Sequence, residues 1–461
     1  MATENGLVPK EVHLGNAGFN KLPTHWSVVE IGELLSEDRG ISVGVMYPGN
    51  HDPLGTPLIK VGDLIGSVIN PTPEFWVTPE KHYEHRRTEL KGGELLLTLV
   101  GAVGQCAVVP PSMAGWNAAR AVAVIRLKDP EDAKFVRLCF LSAPLQHLMQ
   151  VWANTTVQAT LNLKEIKQLP LPWPPKEERQ AIAHILGTLD DKIELNQQMN
   201  QTLEAIARAL FKSWFIDFDP VRAKLDGRQP AGMDAETAAL FPAEFEDGGA
   251  IGKIPKGWKV KPIGDAVKTV GGATPSTSEP AYWEEGNFYW STPKDLAPLS
   301  SPVLLDTERR ITEKGLQKIS SGLLPKGTLL LSSRAPIGYL AIAEIPLAIN
   351  QGYIAIVCGQ ELSNHYVLRW VQFNMDVIEG RANGTTFMEI SKKNFRPIPA
   401  LVPPQQVLQV FNNQAEFIHQ QAVNNLRQNK TLASIRDALL PKLLSGEIRV
   451  QDAEKLVEAV T

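Results

Sequence analysis

Cysteine is scarce: three in 461 residues, Cys106, Cys139 and Cys358, far apart and never as C-x-x-C. This excludes a disulfide framework and a zinc ribbon, and it fits a reducing compartment. An excess of either charge is lacking too. Lys and Arg total 46 against 50 Asp and Glu, a net charge of −4, so no global basic field advertises nucleic acid. Contact with a polyanion must then rest on local patches. No apolar run approaches the ~18 residues of a membrane span. The opening stretch MATENGLVPKEV lacks an apolar core, so no secretory signal is expected. Walker A, HExxH and GxSxG motifs are absent, as is the Pro-Pro-aromatic loop of an amino-methyltransferase. The histidines show no ligand spacing. No catalytic and no metal-ligating residue is assigned.

What is present is organised around one stretch. From Lys176 to Phe218, apolar residues recur at Ile182, Ile185, Leu189, Ile193, Met199, Leu203, Ile206, Leu210 and Trp214, mostly in steps of three and four. That spacing keeps them on one helical stripe. Pro174 and Pro175 stand just outside the start. A helix of about 40 residues is roughly 60 Å long, and its stripe needs a partner. Gln405 to about Ser445 supplies one, after Pro403 and Pro404. Its stripe is Val407, Phe411, Ile418, Ala422, Leu426, Leu432, Ile435, Leu439 and Leu443, and Gly446 is its stop. Asn196 falls on the first seam, where a polar residue fixes register at some cost in stability.

The chain repeats once, offset by about half its length. LPTHW at 22–26 answers IPKGW at 254–258, and GAVG at 101–104 answers APIG at 335–338. Asn117, before a β-like run from Ala121 to Leu127, answers Asn350, before Tyr353 to Val357. On that alignment Ala118 and Ala119 answer Gln351 and Gly352. Leu169-Pro170 and Pro174-Pro175 answer Ile398-Pro399 and Pro403-Pro404. Matches kept in one order over such a length point to duplication, with a period too long for a solenoid. Each half reads as a globular part followed by a long helix. Short strands are predicted at 57–61, 94–99, 106–109 and 121–127, then at 328–332, 339–342 and 353–357. Helices are predicted from about Ala133 to Trp152 and from Ser363 to Gly380. The Pro-, Gly- and acid-rich stretch Asp219 to Lys256 reads as a surface linker.

Polar and basic residues gather in both globular parts. The first holds Lys60, Arg86, Arg87, Asn117, Arg120, Thr155, Thr156 and Lys164. The second holds Lys294, Arg309, Arg310, Arg334, Asn350, Gln351, Thr385, Thr386, Lys392 and Lys393. Arg, Lys, Asn and Gln read base edges in a major groove, while Thr and Lys hold phosphates. For any single one the alternative is a solvated surface residue. As a doubled set on a duplicated frame, they suit two DNA half-site readers.

Several stretches carry a family resemblance: LPLPWPP at 169–175, FKSWFIDFDPV at 211–221, AKLDG at 223–227 and GKIPKGW at 252–258. GGATPS at 271–276, WSTPKDL at 290–296, LLSSRAPIG at 330–338, NQG at 350–352 and RDALLPKLLSGEI at 436–448 extend it over nearly the whole chain. The sequence resembles the specificity (S) subunit of a type I restriction-modification system.

The resemblance implies an α+β protein with two mixed α/β target-recognition domains in an internal duplication, separated by two long antiparallel coiled-coil helices. The expected boundaries are 1–170 for the first recognition domain, 171–218 for the first helix and 219–256 for the linker. The second domain is expected at 257–400, the second helix at 401–450 and a tail at 451–461. The implied chain is not an enzyme. It reads a bipartite target in double-stranded DNA and binds two methyltransferase (M) subunits, with restriction (R) subunits as further partners. The M subunits are expected to dock on the helices, at Leu189, Ile193, Leu203, Leu210, Trp214, Phe215, Leu432, Leu439 and Leu443. The chain itself is expected to hold no cofactor. S-adenosylmethionine, and ATP with Mg2+, belong to the partners, and the expected setting is the cytoplasm of a bacterium or archaeon. A coiled-coil adaptor that binds only proteins is the alternative, and a salt-dependent, sequence-selective shift of DNA separates the two.

Overall fold

The structure is a computed structural model that describes residues 22–37, 40–66, 68–153, 160–359, 361–384 and 388–458. The chain forms two compact units, one of residues up to Glu194 and from Gln428 onward, the other Leu195–Arg427. The helices that matter are α1 (Ala133–Leu141), α2 (Ala143–Ala153), α3 (Lys176–Phe215), α4 (Asn364–Phe373), α5 (Met375–Gly380), α6 (Gln405–Leu444) and α7 (Val450–Glu458). Among the described residues no helix is long and apolar enough to cross a membrane.

The first unit uses β1 (Ser27–Glu30), β2 (Ile41–Val43), β3 (Thr56–Ile59), β4 (Trp76–Val77), β5 (Leu95–Thr98), β6 (Cys106–Val108), β7 (Asn117–Ala118), β8 (Val122–Ile125) and β9 (Pro170–Trp173). An antiparallel sheet has the order β2-β8-β5-β6. Leu95, Leu97, Ala123 and Ile125 pack on Phe135, Val136 and Phe140 of α1. Leu96, Val122 and Val124 face the other way, onto Ile59 and Met113. Both faces are buried, so these strands read as unbroken apolar runs and not as alternation. A second sheet, β4-β3-β7, contains the parallel pair β3·β7. The ribbon β1·β9 joins the start of the domain to its end.

The second unit repeats this plan with β10 (Lys259–Pro262), β11 (Lys268–Val270), β12 (Phe288–Ser291), β13 (Arg309–Ile311), β14 (Leu329–Ser333), β15 (Ile337–Ala343), β16 (Leu347–Ile349), β17 (Tyr353–Val357) and β18 (Pro399–Val402). The order β11-β17-β14-β15 matches β2-β8-β5-β6 strand for strand, with Val303–Leu304 added beside β15. The sheet β13-β12-β16 matches β4-β3-β7, again with its inner pair parallel. The ribbon β10·β18 matches β1·β9. Two chain segments of different sequence thus share one topology, which is the duplication made visible.

Each unit also contains part of both long helices, running antiparallel. In the first unit, Leu189 of α3 shares a core with Leu432, Leu439 and Leu443 of α6. Asn429 Nδ2 donates to the Ile193 carbonyl at 3.4 Å, and Arg436 reaches back to Asp190. In the second unit, Asn425 Nδ2 donates to Asn200 Oδ1 at 2.8 Å, and Asn200 Nδ2 donates to the Ala422 carbonyl at 3.3 Å. Further along, Phe211 of α3 lies 5.1–5.9 Å, centroid to centroid, from Phe215, Tyr366, Phe373 and Phe411. Aromatic pairs of this geometry add about 0.5–1.5 kcal/mol each beyond the area they bury.

Four expectations change. The helix predicted from Ala133 to Trp152 is two, because Ser142 is extended (ψ 142°) and Pro144 restarts the helix in its first turn. Its counterpart breaks at Asn374, whose side chain caps the Trp370 carbonyl at 2.8 Å. The stretch 219–256 is folded and not a loose linker. It forms two short helices and the hairpin Phe245–Asp247/Lys253–Pro255, and it buries Val221, Phe241 and Ile254 in the core. Finally, Met199 and Ile206 lie off the buried stripe of α3, 43% and 50% exposed, while Asn200 is buried there, next to Asn196, which was expected on the seam.

In the second unit the recognition domain meets α6 through titratable groups, of which His419, Glu344 and His365 are buried. His419 and Glu344 pair at 2.9 Å, with Lys326 at 2.8 Å from the same carboxylate. His365 pairs with Glu416 at 2.6 Å. The His419 hydrogen bond, outweighing burial and helped by Lys326, holds Glu344 down to about 2. Burial pushes His365 below its ordinary value. Both folded values are depressed, so both groups stabilise the fold fully above their unfolded values and lose that contribution as pH falls. Melting temperature is expected to decline below about 6.5 through His365. It should decline again between 4.5 and about 2 through Glu344. Glu344→Gln should flatten the lower limb of a melting-temperature-against-pH curve and spare the upper one. An unchanged lower limb would assign it to other carboxylates.

Candidate nucleic-acid interface

The same local construction occurs once in each recognition domain. After β2 the chain passes so close to β7 that a Cβ on Gly44 would sit 1.9 Å from the Ala118 carbonyl oxygen. After β11, a Cβ on Gly272 would sit 1.9 Å from the Ile349 carbonyl oxygen. Only glycine allows that approach, and the next residue uses it. Val45 N donates to Ala118 O at 2.6 Å, and Ala273 N donates to Ile349 O at 3.0 Å. Two more bonds fix the register. Ala119 N donates to Ile59 O as Asn350 N does to Ser291 O, and Leu99 N donates to Ala121 O as Ser333 N does to Gly352 O. Ala119, Arg120 and Ala121 are therefore the counterparts of Asn350, Gln351 and Gly352. The expected alignment of Asn117 with Asn350 was two residues out, since matching asparagines outweighed the backbone pairing that decides register.

Arg120 and Gln351 are both exposed. The Arg120 guanidinium lies 5.9 Å from the ring centroid of Tyr47, in the loop after Gly44. Gln351 Oε1 accepts from Thr274 Oγ1 at 2.7 Å, in the loop after Gly272. Tyr47 is 73% exposed and adopts φ +54°, a left-handed backbone that few tyrosines take. Tyr47 and Thr274 were not singled out from sequence, and the only signal available was their place just after a close-approach glycine.

Other predicted residues distribute as follows. Exposed Lys60 rests 3.7 Å over Phe75, and Arg86 4.6 Å over Tyr83. Arg309 stacks 3.6 Å over Trp283, with Trp290 beyond it, and Arg310 lies 4.6 Å over Tyr289. Cations held on aromatic faces lose less freedom on binding. By pairing register, Phe75 and Trp76 of the outer strand correspond to Arg309 and Arg310. The same edge is thus aromatic in one domain and cationic in the other. Arg334 is half-buried, with Glu389 at 3.5 Å. Lys392 crosses Gly271, where a Cβ would come within 2.9 Å of its Nζ. Arg87, Lys164, Lys294 and Lys393 are exposed. Asn350 caps its own turn, accepting from Gly352 N at 2.9 Å. Asn117 is fully buried and bonded to Thr88 and the His85 carbonyl, which takes it out of reach of a base edge. Thr155, Thr156, Thr385 and Thr386 lie outside the described residues.

The residues expected to meet a partner subunit are largely used by the chain itself. Leu189, Leu432, Leu439 and Leu443 are buried in one core, and Trp214 and Phe215 in the other, with Ile193, Leu203 and Leu210 half-buried. Burial pushes the Cys106 and Cys358 thiols up to about 12, so neither is a nucleophile. Among the described residues, no group of His, Cys, Asp and Glu is placed to hold a metal ion.

Comparison with known proteins follows this geometry. The family model of the type I restriction modification DNA specificity domain matches residues 77–205 and 255–430, once per half. The type I restriction enzyme HindI specificity subunit of Haemophilus influenzae is 30% identical over 328 residues, 62% of this chain and 71% of that one. The MjaIX specificity subunit of Methanocaldococcus jannaschii is 24% identical over 469 residues, covering 96% of this chain and 98% of that one. Among solved structures, the type I restriction-modification S subunit from M. genitalium overlays with a TM-score of 0.53 at 17% identity, covering 92% of this chain and 96% of that one; this bears on the fold alone. With two specificity domains on a duplicated frame, the chain belongs to the family of type I restriction-modification DNA specificity subunits.

Proposed function

We propose that this chain reads a two-part DNA sequence, one recognition domain per half-site, and supplies no catalytic group of its own. The observation that carries the reading is the duplicated construction itself. The same glycine-anchored loop and strand recur in both domains, yet the side chains they carry differ: exposed Arg120 against exposed Gln351, and half-buried Phe75-Trp76 against exposed Arg309-Arg310. A fold kept in common with its exposed chemistry changed is what two readers of two different sequences require. Adenine methylation falls to two M subunits that bring S-adenosylmethionine, and ATP with Mg2+ is used by R subunits. M docking is assigned to a second seam of α3, formed by Leu195, Met199 and Ile206, which are 49%, 43% and 50% exposed. Steps of four and seven put these three on one helical face, roughly a quarter turn from the buried stripe.

Exchange of residues 22–152 for those of a relative with a different target tests the reading. Methylome sequencing of the complex reconstituted with M subunits is expected to show one half-site changed and the other intact. If both half-sites change, or neither does, the domains are not independent readers.

A further inference from the structure

We infer that Arg120 and Gln351 occupy one shared base-reading position, Arg120 selecting guanine in one half-site and Gln351 selecting adenine in the other. Tyr47 and Thr274 act as the positioning residues beside them. The inference rests on the two-reader function proposed above and names the residues that carry its specificity. Three observations support it. Both side chains leave the backbone at the same register point, immediately before the buried strands β8 and β17. Both are exposed, while the strands that follow, Val122–Ile125 and residues 353–356 of β17, are buried and fix the main chain. Each touches the loop anchored by its close-approach glycine, Arg120 through the Tyr47 ring and Gln351 through the Thr274 hydroxyl.

The chemistry differs in the way that base selection needs. A guanidinium fork donates twice, matching guanine O6 and N7. A primary amide donates once and accepts once, matching adenine N7 and N6. Thr274 donates to Gln351 Oε1, which sets the way the amide faces and leaves its N–H groups and the second lone pair to present outward. Near Gln351, Lys392 over Gly271 supplies positive charge for the phosphates that flank a base, with Arg334, just past the end of β14 and paired with Glu389, as a second cation.

The test uses the full chain reconstituted with its M subunits and methylome sequencing. Arg120→Gln is expected to replace guanine by adenine at one position of one half-site. Gln351→Arg is expected to do the reverse in the other half-site, each with a roughly 5- to 150-fold change in preference between the two bases. Arg120→Lys keeps the charge and loses the fork, so guanine selection should relax while binding largely persists. Thr274→Ala should relax selection at the Gln351 position alone, an effect that loss of folding would not confine to one base pair. Uniform loss across all sequences would mark these residues as phosphate contacts and overturn the assignment, as would unchanged base preference in the two exchanges. The domain exchange described above separates the cases. If it changes one half-site while Arg120→Gln and Gln351→Arg change none, the position is wrong and the two-reader function stands. If the domain exchange itself fails, the function falls with it.

Discussion

Asp190→Ala is expected to destabilise the first unit by about 3–5 kcal/mol, a large part of the stability of a typical domain. Asp190 stands on α3, and its two carboxylate oxygens are divided between Arg137 of α1 and Arg436 of α6. Arg436 Nη1 lies 2.8 Å away. Arg137 and Asp190 are 8% and 9% exposed, so each recovers little hydration if its partner is removed. Truncation to alanine leaves two guanidinium groups facing a gap, one of them buried, and the uncompensated charge dominates the cost. A cavity of about 400 Å3, lined by Arg137, Asp190, Gly187 and Leu138, adjoins the pair and gives water a route to it, which favours the lower end of the range. Asp190→Asn keeps an acceptor and should lose less. Arg436→Ala removes the more exposed partner, at 30%, and should cost the least of the three. Denaturant unfolding of the purified variants measures the order. A loss below about 1 kcal/mol for Asp190→Ala would mean that the site collapses or hydrates freely, and the buried-pair account would fail.

Much of this architecture was legible in sequence for identifiable reasons. The paired prolines at 174–175 and 403–404 mark helix starts because proline costs least there, and helices do begin at Lys176 and Gln405. The unbroken leucine runs at 95–97 and 329–331 mark strands buried on both faces. The misreadings also have causes. Apolar periodicity placed Asn196 on the seam but also put Met199 and Ile206 on the buried stripe, because Asn200, which packs there, is polar, and polarity alone argues against burial. Only the partner helix shows that Asn200 is satisfied, through Asn425 and the Ala422 carbonyl. The stretch 219–256 looked like a linker because Gly, Pro and acidic residues dominate it, yet three well-spaced apolar residues suffice to dock it on a core. Within the interface, the choice of Arg, Lys, Asn and Gln rested on residue type. Type selected Arg120 and Gln351, which are exposed, but it also selected Asn117, which burial removes from the surface. Tyr47 and Thr274 carry no signal by type, and their place beside Arg120 and Gln351 follows from a backbone contact that a sequence does not display.

The triple variant Leu195→Glu, Met199→Glu, Ile206→Glu is expected to abolish assembly with M subunits while the chain itself folds as before. These residues sit on the exposed seam of α3 within Leu195–Arg427, and Phe417 of α6 adds a 65% exposed ring in the same unit. Isolated surface apolar residues need no explanation, but three on one helical face make a stripe to which a partner helix can fit. Surface substitutions usually shift stability by no more than about 0.5 kcal/mol, so the melting temperature should hardly move. Buried apolar anchors of an interface cost about 2 kcal/mol or more each when lost. Introducing three carboxylates would add desolvation to that loss, enough to lower association by several powers of ten. Leu189→Ala and Leu432→Ala provide the contrast. Both side chains are wholly buried in the chain's own core, so their truncation should cost about 2–5 kcal/mol of stability. Their assembly should weaken only to the extent that the fold is lost. Sedimentation of the reconstituted complex, read beside thermal melts of each variant alone, separates the two behaviours. If the triple variant assembles with M subunits at wild-type affinity, the exposed seam is not their docking face.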